Sequence, residues 1–107
     1  MWIFTTEGFV SAVQKPGDTD LTIRSRDRAS LATLAQITGH NINASQGTDY
    51  PYRVEVSREQ FSHWLAQHVT NLDYANFKSA VGRQRGRSFA HPLMDVWSAM
   101  HAVTDLP

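Results

Sequence analysis

Tyr52-Arg53-Val54-Glu55-Val56-Ser57-Arg58-Glu59-Gln60-Phe61 switches its hydrophobic period from two to about 3.6 in the middle of the segment. Tyr52, Val54 and Val56 alternate with Arg53 and Glu55, the pattern of a strand with one buried face. Ser57-Arg58-Glu59-Gln60 then matches a capping box, in which Ser57 caps the helix and Gln60 reaches back. Phe61, Trp64, Leu65, His68, Val69 and Leu72 follow as one helical stripe. A strand running straight into an amphipathic helix is the core of an α+β reading.

Toward the N-terminus, Leu21, Ile23 and Ser25 alternate with Thr22, Arg24 and Arg26 as a second one-faced strand. Lys15-Pro16-Gly17-Asp18 has turn chemistry and makes that strand one arm of a hairpin. Trp2 to Thr6 and Phe9 to Gln14 are strand-like, with Gly8 permitting a bend or bulge between them, so the two can be one bent strand. Asp27 is the expected cap of a helix whose stripe is Leu31, Leu34, Ala35 and Thr38, ended by Gly39. His40 to Asp49 is polar and reads as a loop.

Toward the C-terminus, Asp73 is the expected cap of a short helix with Tyr74, Phe77 and Val81 on one face and Gly82 at its end. Arg83 to Ser88 reads as a basic connection. Pro92 suits the first turn of a last helix with Leu93, Val96, Trp97, Met100 and Val103 or Thr104 as its stripe. The expected order is β-β-β-α-β-α-α-α. It gives an α+β fold with a small, mostly antiparallel sheet of three or four strands and three or four helices packed on one face, in a single domain over 1–107.

Several of these segments also resemble an uncharacterised family of small proteins from actinobacteria and their phages. The resemblance lies in Trp2-Ile3-Phe4-Thr5 with Gly8-Phe9, Leu21 to Arg26, Asp49-Tyr50-Pro51-Tyr52-Arg53, Asp73-Tyr74-Ala75-Asn76-Phe77-Lys78 and Val96-Trp97. It covers nearly the whole chain in matching order. It implies no particular activity, and its phage members imply a small accessory protein that acts on host components.

Composition bounds the chemistry. The chain has no cysteine, which excludes disulfides, thiolate metal sites, iron–sulfur clusters and a cysteine nucleophile. Ten basic and ten acidic residues balance, so global charge favours neither nucleic acid nor an anionic membrane. Met1 to Glu7 lacks a basic stretch followed by an apolar core of signal-peptide length, and no apolar run is long enough to span a bilayer, so the expected location is cytoplasmic, without membrane attachment.

Three clusters are candidate sites. Arg24, Arg26 and Arg53 share the polar side of the strands with Thr22 and Glu55, and three guanidinium groups facing one carboxylate could bind an anion or an acidic side chain of a protein partner. Ordinary cross-strand ion pairing on a wet face is the plainer explanation. Lys78, Arg83, Arg85 and Arg87 could contact the phosphates of a nucleic acid, with Phe89 stacking on a base, or could simply neutralise helix ends. Tyr74, Asn76 and Lys78 could rim a ligand pocket, or be a helix start with a solvated lysine.

No catalytic or metal centre is legible. His63 and His68 are five apart, which separates them by about 140° on a helix. His40, His91 and His101 are isolated, and the carboxylates are scattered. No cofactor is implied. The expectation is a non-catalytic accessory protein that binds a host or partner protein through Arg24, Arg26, Arg53 and Glu55. The alternatives are a nucleic-acid binder, or an enzyme or small-ligand binder of unrecognised type. The aromatic N-terminal strand could lie at a sheet edge and pair with its copy as a homodimer.

Overall fold

The computed structural model describes residues 1–105. The chain divides into two compact units, Met1–Asp73 and a second from Tyr74 onward.

The first unit is built on a five-stranded antiparallel sheet in the order β1-β2-β3-β5-β4. Its strands are β1 (Trp2–Thr5), β2 (Gly8–Val13), β3 (Leu21–Ser25), β4 (Asn43–Ala44) and β5 (Tyr52–Val56). The α+β class holds, with more strands than the sequence suggests. Trp2 to Gln14 is a hairpin and not one bent strand, because Thr5 pairs with Gly8 across the Thr6-Glu7 turn. The extra strand comes from the polar loop, where Asn43 and Ala44 pair with Arg53 and Tyr52.

Two helices, α1 (Ala32–Thr38) and α2 (Arg58–Thr70), cover one face of the sheet, with a 3₁₀ turn at Ala29–Leu31 before α1. Val10, Ala12, Ile23, Val54 and Val56 from the sheet form one core with Leu31, Leu34, Phe61 and Trp64. Each large side chain fully buried there contributes about 1.5–3 kcal/mol relative to exposure.

The local devices explain the helix positions. Ser57 Oγ accepts the Gln60 N–H at 3.1 Å while Gln60 Oε1 accepts the Ser57 N–H at 2.9 Å, which completes the capping box. Asp27 Oδ1 accepts the Ser30 N–H at 3.1 Å, so it caps the 3₁₀ turn and not α1 itself. Gly39 leaves α1 in the left-handed region at φ 73°, its N–H bonded to the Ala35 carbonyl. The buried stripe of α2 is shorter than its sequence stripe. Phe61 and Trp64 are buried, whereas Val69 and Leu72 are exposed, because the core engages only the first turns of the helix.

The second unit holds α3 (Phe77–Arg85), α4 (Arg87–Ala90) and α5 (Pro92–His101). Asn76, and not Asp73, caps α3: it is extended at φ −128°, and its side chain accepts the Ser79 N–H at 2.9 Å. The helix runs through Gly82 and ends at Gly86, whose φ of 88° suits glycine. Much of the expected basic connection is therefore helical. The expected α5 stripe is not a core stripe, since Leu93 is buried but Val96, Trp97 and Met100 are exposed.

Candidate binding face on the sheet

Period-two alternation divides the strand side chains between two faces. Ile23, Val54 and Val56 point into the core. Their neighbours Thr22, Arg24, Arg53 and Glu55 point to the other face, where Glu55 is exposed, Arg24 and Arg53 are half-buried and Thr22 is buried. The register sets Thr22 opposite Glu55, and Arg24 opposite both Arg53 and Ser11. It also sets Trp2 opposite Ser11 and Phe4 opposite Phe9, so the aromatic hairpin lies on the same face as the arginines.

The guanidinium groups do not gather on Glu55. Glu55 Oε2 instead accepts the Thr22 hydroxyl at 2.8 Å. Arg24 Nη2 donates to Ser11 Oγ at 2.8 Å, and its guanidinium lies 4.5 Å over the Tyr50 ring. Arg53 Nε donates to the Tyr50 carbonyl at 3.3 Å. Arg26 lies just beyond β3, and its Nη1 donates to the Asp49 carbonyl at 2.7 Å. The three arginines thus converge on the Asp49-Tyr50 segment. Like charges directly opposite on a sheet repel, so Arg24 and Arg53 turn to different neutral acceptors.

Among the described residues, neither Arg24 nor Arg53 has a carboxylate within 4.0 Å. Backbone and hydroxyl dipoles and one π face are what balance them. The Arg24 Nε is buried and has no hydrogen-bond partner among the described residues, an unmet donor at the centre of the cluster.

The aromatic part is continuous with it. Phe4 and Phe9 stack at 4.6 Å and 22°. Trp2 meets Phe9 edge-on at 5.8 Å, and Phe9 lies 6.4 Å from Tyr50. Trp2 is 70% exposed. Trp2, Phe4, Phe9, Tyr50, Arg24 and Arg53 form one strip across four strands and a loop. Phe9 was legible in principle, since it alternates with the buried Val10. Tyr50 carried no periodic signal, because it precedes β5.

The other candidates are dispersed or already engaged. Arg85 lies 3.9 Å over the Phe89 ring, which covers a face of the ring expected to stack on a base. Arg83 and Arg85 occupy the last turn of α3, where cations are favoured. Lys78 contacts Met94 and lies 5.7 Å from the Trp97 ring centre. Arg87 is exposed at the start of α4. Tyr74 packs on Phe77 at 5.7 Å, and Asn76 is consumed as a cap.

One constellation has no sequence signal. His68 Nε2 pairs with Glu7 Oε1 at 2.7 Å, the Thr33 hydroxyl donates to Glu7 Oε2, and the His68 ring sits edge-on to Trp64 at 4.5 Å. It ties the β1–β2 turn to both helices. No group of three metal-ligating side chains comes together among the described residues, and no described helix is long and apolar enough to cross a membrane.

Compared with protein-family models, curated proteins and solved structures, the chain gives no match.

Proposed function

We propose that the protein is a non-catalytic accessory module that binds another protein through the arginine-bearing sheet face. A cytoplasmic location is part of the same reading. The observation that carries it is the pair Arg24 and Arg53: two guanidinium groups without carboxylate partners among the described residues, set beside the exposed Trp2 and the half-buried Phe4, Phe9 and Tyr50. Such a surface suits a partner segment that offers acidic and apolar side chains together.

Ring orientation favours a protein over a single-stranded nucleic acid. Base stacking needs open ring faces. Here Phe4 and Phe9 turn faces to each other, and Arg24 covers a face of Tyr50. Zero net charge also supplies no general attraction to phosphate.

The test compares wild type with an Arg24→Glu, Arg53→Glu double variant as bait for cross-linking and affinity capture. A stoichiometric partner protein should be retained by wild type and weakened at least about tenfold, ~1.4 kcal/mol, in the variant. A Lys78→Glu, Arg83→Glu variant should retain it. Equal capture by all three baits, or salt-sensitive binding to oligonucleotides in its place, overturns the reading.

A further inference from the structure

The sheet ends in two different edges. At one, β4 is only Asn43–Ala44, exposed and polar, a short edge that resists pairing. At the other, β1 is Trp2-Ile3-Phe4-Thr5, with no charge, no proline and no bulge to discourage an added strand.

The backbone of β1 is half used. Met1 and Ala12 exchange two hydrogen bonds, Ala12 N–H to the Met1 carbonyl at 2.8 Å and Met1 N–H to the Ala12 carbonyl at 2.9 Å. In an antiparallel ladder such pairs alternate with pairs that exchange none. Ile3/Val10 and Thr5/Gly8 are therefore bonded pairs, whereas Trp2 and Phe4 aim their N–H and C=O groups away from β2. Among the described residues no partner for those outward groups is found.

We propose that this edge pairs with the same edge of a second copy, making a two-fold homodimer with one sheet running through both. The free groups of Trp2 and Phe4 are symmetric about Ile3. An antiparallel strand satisfies both residues when it offers two outward residues with the same spacing, and another β1 does so. Trp2 of each copy then exchanges two hydrogen bonds with Phe4 of the other, and Ile3 faces Ile3 on the axis. The contact is isologous, as two-fold symmetry requires.

The side chains agree with this register. Trp2, 70% exposed in one copy, lies beside Phe4 of the other, an aromatic cross-strand pair. Ile3 meets Ile3 on the opposite face. Neither β1 nor the chain as a whole carries net charge to oppose the approach of an identical copy. The same neutrality gives the edge nothing with which to select an acidic or basic stranger. Dimerisation would join the two aromatic–arginine strips into one longer surface.

Sedimentation equilibrium and thiol cross-linking test this. A short added-strand contact lies at the small end of interfaces, so the dimer should be populated at protein concentrations on the order of 100 µM. Trp2→Lys, which places a charge on the edge, should be monomeric there with an unchanged far-ultraviolet spectrum. The native chain lacks cysteine, so one introduced thiol reports the register. Ile3→Cys should form a disulfide-linked dimer under mild oxidation, because axial residues lie within bridging distance. Thr6→Cys, far from its own copy in this register, should not. A wild type that stays monomeric over that range overturns the proposal, as does a Thr6→Cys variant that cross-links as readily as Ile3→Cys. If Ile3→Cys fails to fold, the contrast between wild type and Trp2→Lys still decides.

Discussion

Helices α2 and α5 carry the same apolar spacing and bury it to different extents. Phe61, Trp64, Leu65 and His68 repeat the intervals of Leu93, Val96, Trp97 and Met100. Trp64 is 1% exposed, while Trp97 is 56% exposed. Helix α2 follows β5 with only Ser57 between them, so the chain delivers its stripe onto a ready sheet face. Helix α5 follows the four-residue α4, and its Trp97 meets the Lys78 ammonium and the stacked His101 ring. A stripe names the face of a helix that can be buried, and a partner surface must exist before it is.

Substituting the two tryptophans separates these cases. Trp64→Ala should have the largest effect, lowering the stability of the first unit by about 3–5 kcal/mol in chemical denaturation. The lower end is expected, because the Trp64 Nε1 is buried without a partner among the described residues, and removing that orphaned donor recovers part of the loss. A loss below 1 kcal/mol, on the order of a surface substitution, would mean that Trp64 is not a core residue.

The second unit should respond more to local helix chemistry. Gly82 lies inside α3, and a methyl group there would meet Ala90 Cβ at 3.9 Å, an ordinary contact. Gly82→Ala should therefore stabilise α3 by about 0.5–1 kcal/mol, read as slower amide exchange from Val81 to Arg85. Faster exchange would show that the helix does not tolerate the added group. The smallest effect is expected from Trp97→Ala, within about 0.5 kcal/mol of wild type by the same denaturation assay. A loss comparable to that of Trp64→Ala would erase the contrast between the helices.

The candidate face was half legible for a related reason. Alternation put Arg24, Arg53, Thr22 and Glu55 on one side, since a strand has only two sides. It could not supply acceptors. Arg26 finds Asp49, and Arg24 and Arg53 find Tyr50, only because β5 returns beside β3 and carries the end of the preceding loop with it. The pairing of Glu7 with His68 likewise needs the β1–β2 turn and the end of α2 to meet. Asn76 shows the converse limit: Asp73 and Asn76 are both good caps, and sequence preference alone could not choose between them.

By itself the sequence determined the α+β class, the capping box at Ser57, the turn at Gly39 and the facing of β3 and β5, because these rest on contacts between residues close in the chain or on the fixed period of a strand. Tertiary structure alone decided that Trp2 to Val13 is a hairpin, that Asn43–Ala44 completes the sheet, that Trp97 is exposed and that three arginines surround Asp49-Tyr50. Those outcomes depend on which distant segments pair, and the free energy of pairing belongs to both partners at once.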